Sequence, residues 1–317
     1  MKEEIPIFFT VDNSYVPYLS CAIKSIIENS SNNYNYKIFV LYEGLTEENI
    51  KKISKLQNEN TKIEFKEMKK GLEAITDRVE NRLRCDYFTL TIYFRIFIPE
   101  MFPEYDKGIY IDSDIIVLGD ISNLYNIELG DNLLGASTDY SIQDIPELVY
   151  YTENAVGVKG KDYINSGVLL MNLKKLREKE LSKNFLELLT KYHFESIAPD
   201  QDYLNAMCNG KILYLNECWD AMPNPSRKEL RDPQLIHYNL FQKPWCYDNI
   251  QYEKYFWKYA KKTDYYNEIL EFKNNYSDEN KISDENCLKT LIYKGTEIPK
   301  TENTFKKIYE GGYKIRL

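Results

Sequence analysis

At 317 residues the chain can bury one large core, or a core with a small appendage, without disulfides or a structural metal to hold it. An apolar fraction of 43%, a charged fraction of 28% and a net charge of -8 are ordinary for a soluble globular protein, and the acidic balance argues against a nucleic-acid surface. The apolar run between the charged N-terminus and Asp12 is too short for a signal-peptide core and no later run is long enough to span a bilayer, so the expected location is the cytoplasm. Six scattered cysteines (Cys21, Cys85, Cys208, Cys218, Cys246, Cys287) form no CxxC and have no histidines at zinc spacing, which points to buried thiols rather than bridges or a zinc site.

The first hundred residues alternate short apolar runs with helix-period segments, the pattern that winds a mainly parallel sheet with helices on its faces. IPIFFTV (5–11) predicts a buried strand, and Leu19, Ala22, Ile23, Ile26 and Ile27 then share one helical face. KIFVLYE (37–43) is a second strand, Thr46 with Glu47 and Glu48 opens another helix, and KIEFKE (62–67) is a third, weaker strand. DYFTLTIYFRIF (87–98) is apolar nearly all round, so it predicts a buried helix ending before Pro99 and leaves Arg95 as an oddity on it. GIYID (108–112) is the next strand, and it runs straight into Ser113 and Asp114. NSGVLLMNLKKLREKEL (165–181) reads as a strand passing into a long amphipathic helix, and KILYL (211–215) as a last central strand. From about Tyr247 the chain turns rich in Lys, Asn, Glu and Tyr, with helical periodicity in 252–275 and turn-prone polar stretches after it. The expected organisation is a catalytic unit over 1–247 and an α-helical, polar extension over 248–317.

No GxGxxG and no Walker loop is present, so any phosphate must be held another way. GIYIDSDIIVLGD supplies one: two carboxylates one residue apart at the C-terminal end of an apolar strand can both turn toward the crevice above a sheet and share one cation. Hard carboxylate oxygens suit Mg²⁺ or Mn²⁺, which also take oxygens of a substrate diphosphate. Short D-x-D strings also commonly end a strand and begin a turn, and the spacing alone does not separate the two. A haloacid-dehalogenase type of phosphatase fits poorly, because Ile115 and Ile116 follow the second Asp. His237, one of only two histidines, would tilt an Asp/Asp/His set toward Mn²⁺ if it joined Asp112 and Asp114; a lone histidine is more commonly just packed. Lys243 is either a solvated lysine or a point charge on a diphosphate. In NSGVLLMN, Asn165 and Ser166 precede Gly167, where backbone can approach a ligand closely. Asp200, Gln201 and Asp202 sit at a helix start, where acids often only cap. Asp12 and Asp139 each follow a strand and, taken singly, read as turn residues.

The order of the pieces FTVDNSY, YFRIFIP, YIDSDIIV, GASTDY, YINSGVLLMNLKKLR, PDQDYLNA and IHYNLFQKPW resembles the family 8 glycosyltransferases, the group containing glycogenin and the bacterial lipopolysaccharide galactosyl- and glucosyltransferases. The likeness covers roughly residues 5–247, and several motifs in order are far more specific than any one. It implies an α/β GT-A fold and transfer of a hexose, glucose or galactose, from a UDP-sugar with retention at the anomeric carbon, using Mn²⁺, to a saccharide or glycoconjugate acceptor. By the same resemblance Asp112, Asp114 and His237 hold the metal, Thr10, Val11, Asp12 and Tyr15 hold uracil and ribose, and Ser113 lies near the ribose. Arg95 faces the sugar and diphosphate, which removes its oddity. Asp139, Asn165, Ser166, Asp200 and Gln201 contact the donor sugar, Asp200 and Gln201 as the catalytic pair, and Lys243 contacts the diphosphate. One departure stands out: Leu240 occupies the glycine position of the family's H-x-x-G-x-x-K-P-W string, which leaves the path of that loop open. A nucleotide-sugar-binding module without turnover would keep the same fold, and the joint presence of Asp112, Asp114, His237, Asp200 and Gln201 favours the enzyme. The extension could cover an acceptor cleft, mediate self-association or, least supported by its mixed charges, lie against a membrane.

Overall fold

The computed structural model describes residues 2–68 and 90–317, so Cys85 and residues 87–89 of the expected buried helix lie outside the described residues. Strand β1 (Glu4–Val11) is flanked by β2 (Asn35–Tyr42) and β4 (Gly108–Ile111), both parallel to it, and β3 (Thr61–Glu67) runs parallel beyond β2. Beyond β4 lies β7 (Val168–Met171), antiparallel to it, followed by β6 (Leu134–Ala136) and β8 (Ile212–Tyr214). The result is a mainly parallel seven-stranded sheet in the order β3-β2-β1-β4-β7-β6-β8. KILYL is therefore an edge strand, not a central one: among the described residues β8 pairs only with β6, and Tyr214 is exposed at its end.

Because side chains alternate across a sheet, each apolar run feeds two cores. Phe8, Phe39, Leu41, Tyr110, Leu169 and Met171 face one side, where they meet α3 (Phe94–Met101), α6 (Leu173–Glu178), α7 (Leu181–Tyr192) and α8 (Pro199–Met207). Their neighbours Ile7, Phe9, Ile38, Val40, Ile109, Ile111, Val168 and Leu170 face the other side, against α1 (Val16–Asn29). Burial on both faces is why these strands read as continuous hydrophobic runs.

Three expectations need correction. Among the described residues the helix around Arg95 is preceded by a 3-10 turn over Leu90–Tyr93 and continues past Pro99 to Met101, where Arg177 gathers the exposed carbonyls by donating to Pro99 O (3.1 Å), Phe102 O (3.4 Å) and Tyr105 O (2.9 Å). The long helix after β7 is broken between α6 and α7 at Glu180, which takes a left-handed conformation with φ 50°. The polar stretch after residue 275, read as turn-prone, holds the 20-residue helix α11 (Asp278–Glu297), started by a capping box between Ser277 and Asn280.

The C-terminal segment packs on both cores. Phe256 and Tyr259 of α9 (Glu253–Ala260) and Ile269 of α10 (Tyr266–Asn274) join the α1 side, while Leu291 of α11 and Phe305 of α12 (Phe305–Glu310) join the other. Phe256 and Phe305 are almost fully buried, each a burial that contributes about 1.5–3 kcal/mol. No helix among the described residues is long and apolar enough to cross a membrane, and the five described cysteines are free thiols.

Candidate functional site

Two β-ladders assemble the site. Asp112 directly follows β4, and its N–H continues the ladder by donating to Gly167 O at 2.8 Å. Two residues on, the chain enters β5 (Ile115–Val117), which pairs antiparallel with β9 (Leu235–His237) in the register Ile115↔His237. That register sets His237 beside Asp114, and Tyr238 N–H donates to Asp114 O at 2.9 Å. Ligand atoms of Asp112, Asp114 and His237 consequently all lie within 4.8 Å of one another at the C-terminal end of the central strands. Two carboxylates and an imidazole at that spacing fit a divalent cation such as Mn²⁺ or Mg²⁺.

Each ligand is held by a neighbour. Asp112 Oδ1 accepts from Tyr110 Oη (2.5 Å) and from an Arg95 Nη2 (2.9 Å). Asp114 Oδ1 lies 3.3 Å from His237 Nε2, and its Oδ2 accepts from Lys243 Nζ at 2.6 Å. Burial pushes the Asp114 carboxyl up, but Lys243 and His237 outweigh it and hold the group well below the usual carboxylate range. For His237, burial works downward and is overcome by Asp114 and Asp220, which raise the imidazole to about 10. Lys243 is likewise lifted above its ordinary range, because Asp114 outweighs the cost of burying its ammonium.

Asp220 went unnoticed in the sequence. It is wholly buried, its Oδ1 lies 3.0 Å from His237 Nδ1, and its Oδ2 has no hydrogen-bond partner among the described residues. Burial pushes its carboxyl up to about 6, with His237 opposing. A carboxylate on one imidazole nitrogen leaves the other to face a metal, the arrangement that orients ligating histidines. The only hint in the sequence is an acid inside the apolar string CWDAM. Gly167, flagged for close approach of backbone to ligand, instead touches the triad itself: a Cβ there would lie 2.2 Å from His237 Cε1 and 2.7 Å from Asp112 Oδ2.

A hydrogen-bonded chain leads from the triad across the cleft. Arg95 is buried on α3, its ring-facing guanidinium 4.4 Å from the Tyr110 centroid, and it donates to Ser166 O (2.7 Å) and Ser166 Oγ (3.0 Å). Its Nε lies 3.2 Å from Asp200 Oδ2, and that oxygen also accepts from Ser166 Oγ at 3.0 Å. Gln201 Oε1 accepts from Ser166 N–H (3.1 Å), and Gln201 Nε2 donates to Asp139 Oδ2 (2.8 Å), to which Asn165 Nδ2 also donates (3.2 Å). The first turn of α8 thus carries Asp200 and Gln201 into the same network as Asp139, Asn165, Ser166 and Arg95. Asp202, next along, turns the other way, where its buried carboxylate accepts from Tyr151 Oη (2.7 Å) and Tyr163 Oη (2.6 Å) and anchors that turn.

On the opposite flank, Ser113 Oγ donates to Thr10 O (3.2 Å), and Thr10 Oγ1 lies 2.8 Å from Tyr110 Oη. The Tyr15 ring centroid is 5.7 Å from Lys243 Nζ. Val11 is the last residue of β1 and its side chain belongs to the core, so only its backbone is available to a ligand. Asp12 makes local bonds that start α1, accepting from Ser14 N–H (2.9 Å) and Tyr15 N–H (3.2 Å). Leu240 has a φ of 54°, so leucine takes a left-handed backbone that a glycine would adopt freely, and the turn it forms carries strain.

The family model described as Glycosyl transferase family 8 matches residues 6–249. A putative glycosyltransferase of Haemophilus influenzae is 29% identical over 224 residues, covering 70% of this chain and 64% of that protein. The lipopolysaccharide 1,2-glucosyltransferase of Escherichia coli K12 is 26% identical over 272 residues, covering 80% of this chain and 77% of that one. Among solved structures, the galactosyltransferase LgtC in complex with donor and acceptor sugar analogues superposes with a TM-score of 0.70 at 26% identity, over 82% of this chain and 96% of that one. With the sheet, its ordered motifs and these matches together, the chain belongs to glycosyltransferase family 8 and has the GT-A fold.

Proposed function

We propose that the chain is a retaining hexosyltransferase that moves glucose or galactose from a UDP-sugar to a saccharide or glycoconjugate acceptor, with Mn²⁺ held by Asp112, Asp114 and His237. The observation that carries the reading is the meeting of those three ligand atoms within 4.8 Å, with a lysine and an arginine paired to the same carboxylates. A divalent cation there supplies Lewis-acid stabilisation of a diphosphate leaving group. Thr10, the Val11 backbone, Asp12, Tyr15 and Ser113 would receive the nucleoside, and Lys243 would meet charge developing on the diphosphate. The unit over 1–247 would carry the chemistry and 248–317 would support it. Free thiols favour a reducing compartment and hence the cytoplasm.

For retention we favour attack from the face the leaving group departs. The anomeric C–O bond breaks with its electron pair going to UDP, the acceptor oxygen bonds to that carbon, and the acceptor's proton passes to the departing phosphate oxygen. Asp200 is already engaged by Arg95 and Ser166, which makes it a poor nucleophile for double displacement and supports this route. Gln201, fixed at both ends of its amide by Ser166 and Asp139, would present its oxygen to the electron-poor sugar ring.

The test is UDP release from a panel of UDP-sugars without acceptor, in Mn²⁺ and in EDTA, with Asp114→Asn as control. Slow hydrolysis of one UDP-hexose that needs both metal and Asp114 supports the reading and names the donor. UDP binding without release from any donor favours a binding module, and absence of UDP binding rejects both.

A further inference from the structure

Lys243 reaches the site from a single tight turn, in which Cys246 N–H and Tyr247 N–H both donate to Lys243 O at 2.9 and 3.0 Å. Turning the chain back on itself leaves the carbonyls of Pro244 and Tyr247 pointing away from the cleft, and backbone carbonyls in a packed region need partners. Both are met by one side chain from the C-terminal segment. Lys273 of α10 donates to Pro244 O at 2.7 Å and to Tyr247 O at 2.6 Å, and pairs with Asp248 Oδ1 at 3.0 Å, so all three of its donors are used. Asp284 of α11 adds a second tie by accepting from Tyr247 Oη (2.7 Å) and Tyr276 Oη (2.6 Å). Trp245, between them, is buried with its ring 4.0 Å from Tyr18 and 4.8 Å from Phe256.

We propose that Lys273 is a positioning residue for donor binding: it clamps the 243–247 turn from behind and so fixes where the Lys243 ammonium stands over the cleft. The inference rests on the assignment of Lys243 to the diphosphate, and it gives the segment beyond residue 249, where the family match ends, a task in the reaction. A lysine ammonium at the end of four rotatable bonds must be ordered to meet a diphosphate, and a turn already fixed by a partly buried cation removes part of that entropic cost. Lys273 itself touches none of the triad, so its loss should weaken nucleotide binding and leave the metal ligands in place.

The experiment compares wild type, Lys273→Met and Lys273→Arg by calorimetric titration with Mn²⁺ alone and with UDP in saturating Mn²⁺, folding being checked by near-UV circular dichroism. Lys273→Met should bind UDP about tenfold more weakly, with its affinity for Mn²⁺ alone not weakened, and Lys273→Arg should restore most of the loss. A folded Lys273→Met that binds UDP as tightly as wild type, or that loses Mn²⁺ and UDP affinity in equal measure, overturns the proposal. If Lys273→Met does not fold, Lys273→Gln scored on the same two affinities decides in its place. Failure of the wild type itself to bind UDP would reject the transferase reading, whereas binding indifferent to Lys273 rejects only the clamp.

Discussion

Gly167→Ala is the sharpest probe of the triad, because it adds one methyl group and changes no charge. Gly167 has no left-handed backbone requirement, so the effect is steric alone. The new Cβ would stand 2.2 Å from His237 Cε1, 2.7 Å from Asp112 Oδ2 and 2.9 Å from His237 Nε2. To restore ordinary contact near 3.4 Å the imidazole must retreat by about 1.2 Å and the carboxylate oxygen by about 0.7 Å. Metal sites tolerate about 0.2 Å in ligand distance, so neither ligand can stay in place. His237 cannot simply swing aside, since Asp220 holds its other nitrogen and the ring is buried. Mn²⁺ affinity, followed by the loss of the free-ion electron paramagnetic resonance signal on titration, should fall at least about tenfold, the low end of what disturbed ligand positioning costs. A folded Gly167→Ala protein that binds Mn²⁺ as tightly as wild type would refute the assignment of the three ligands to one cation.

Asp220→Ala removes the group that orients His237 and leaves Nδ1 buried without a partner; Mn²⁺ affinity should drop about 10–100-fold, while Asp220→Asn, which keeps an oxygen acceptor, loses less in the same titration. Leu240→Gly relieves left-handed strain of about 1 kcal/mol but adds comparable freedom to the unfolded chain, so the melting temperature should hardly move; Leu240→Val, β-branched at the same φ, should lower stability by about 1 kcal/mol or more, and equal stability of the two would refute the strain. Although burial lowers it, His237 is raised to about 10 by Asp114 and Asp220, so in metal-free protein its ion pairing contributes stability below its unfolded value of 6.5 that is lost as pH rises through about 10. A metal must displace that proton: Mn²⁺ affinity should therefore increase from pH 7 to pH 9, and calorimetry in buffers of different ionisation enthalpy should detect proton release, with a flat profile excluding His237 as a ligand.

What could be read from the sequence follows from how local its cause is. Strands β1, β2, β4 and β7 are buried on both faces and announce themselves as apolar runs, and Thr46 shows its helix start because it accepts from Asn49 N–H only three residues on. Strands β5, β6 and β9 have three residues each, too few for any period, and yet the pairing of β5 with β9 is what brings His237 to Asp114. The ordered motifs pointed to Asp112, Asp114 and His237, which the fold brings together; they carried no sign of Asp220, which reaches His237 from 17 residues away along the chain. Within the expected α-helical extension, the bounds of α11 were not legible because only Leu291 and Gly295 of its 20 residues are buried, so its apolar stripe is too thin to show, although the Ser277 and Asn280 cap was visible in principle. Arg95 shows the reverse case, where a residue that breaks the local pattern marks the place at which packing gives way to a site.

The charges of the metal-free cleft explain why metal and nucleotide should enter together. Asp114 is engaged on both oxygens, by His237 and by Lys243, and Asp112 Oδ1 is taken by Arg95 and Tyr110. Four carboxylates, Asp112, Asp114, Asp200 and Asp220, thus face three cations, Arg95, Lys243 and the raised imidazole of His237, in a region mostly shielded from water. A dication arriving alone would have to expel the imidazole proton, with Lys243 competing for the same Asp114 oxygen. A diphosphate eases that competition, because it offers Lys243 another anion. The lysine's two alternatives, Asp114 or the diphosphate, therefore make it the element that couples the two ligands, and this is why loosening a clamp that fixes its turn from behind would weaken nucleotide binding without weakening the binding of metal alone.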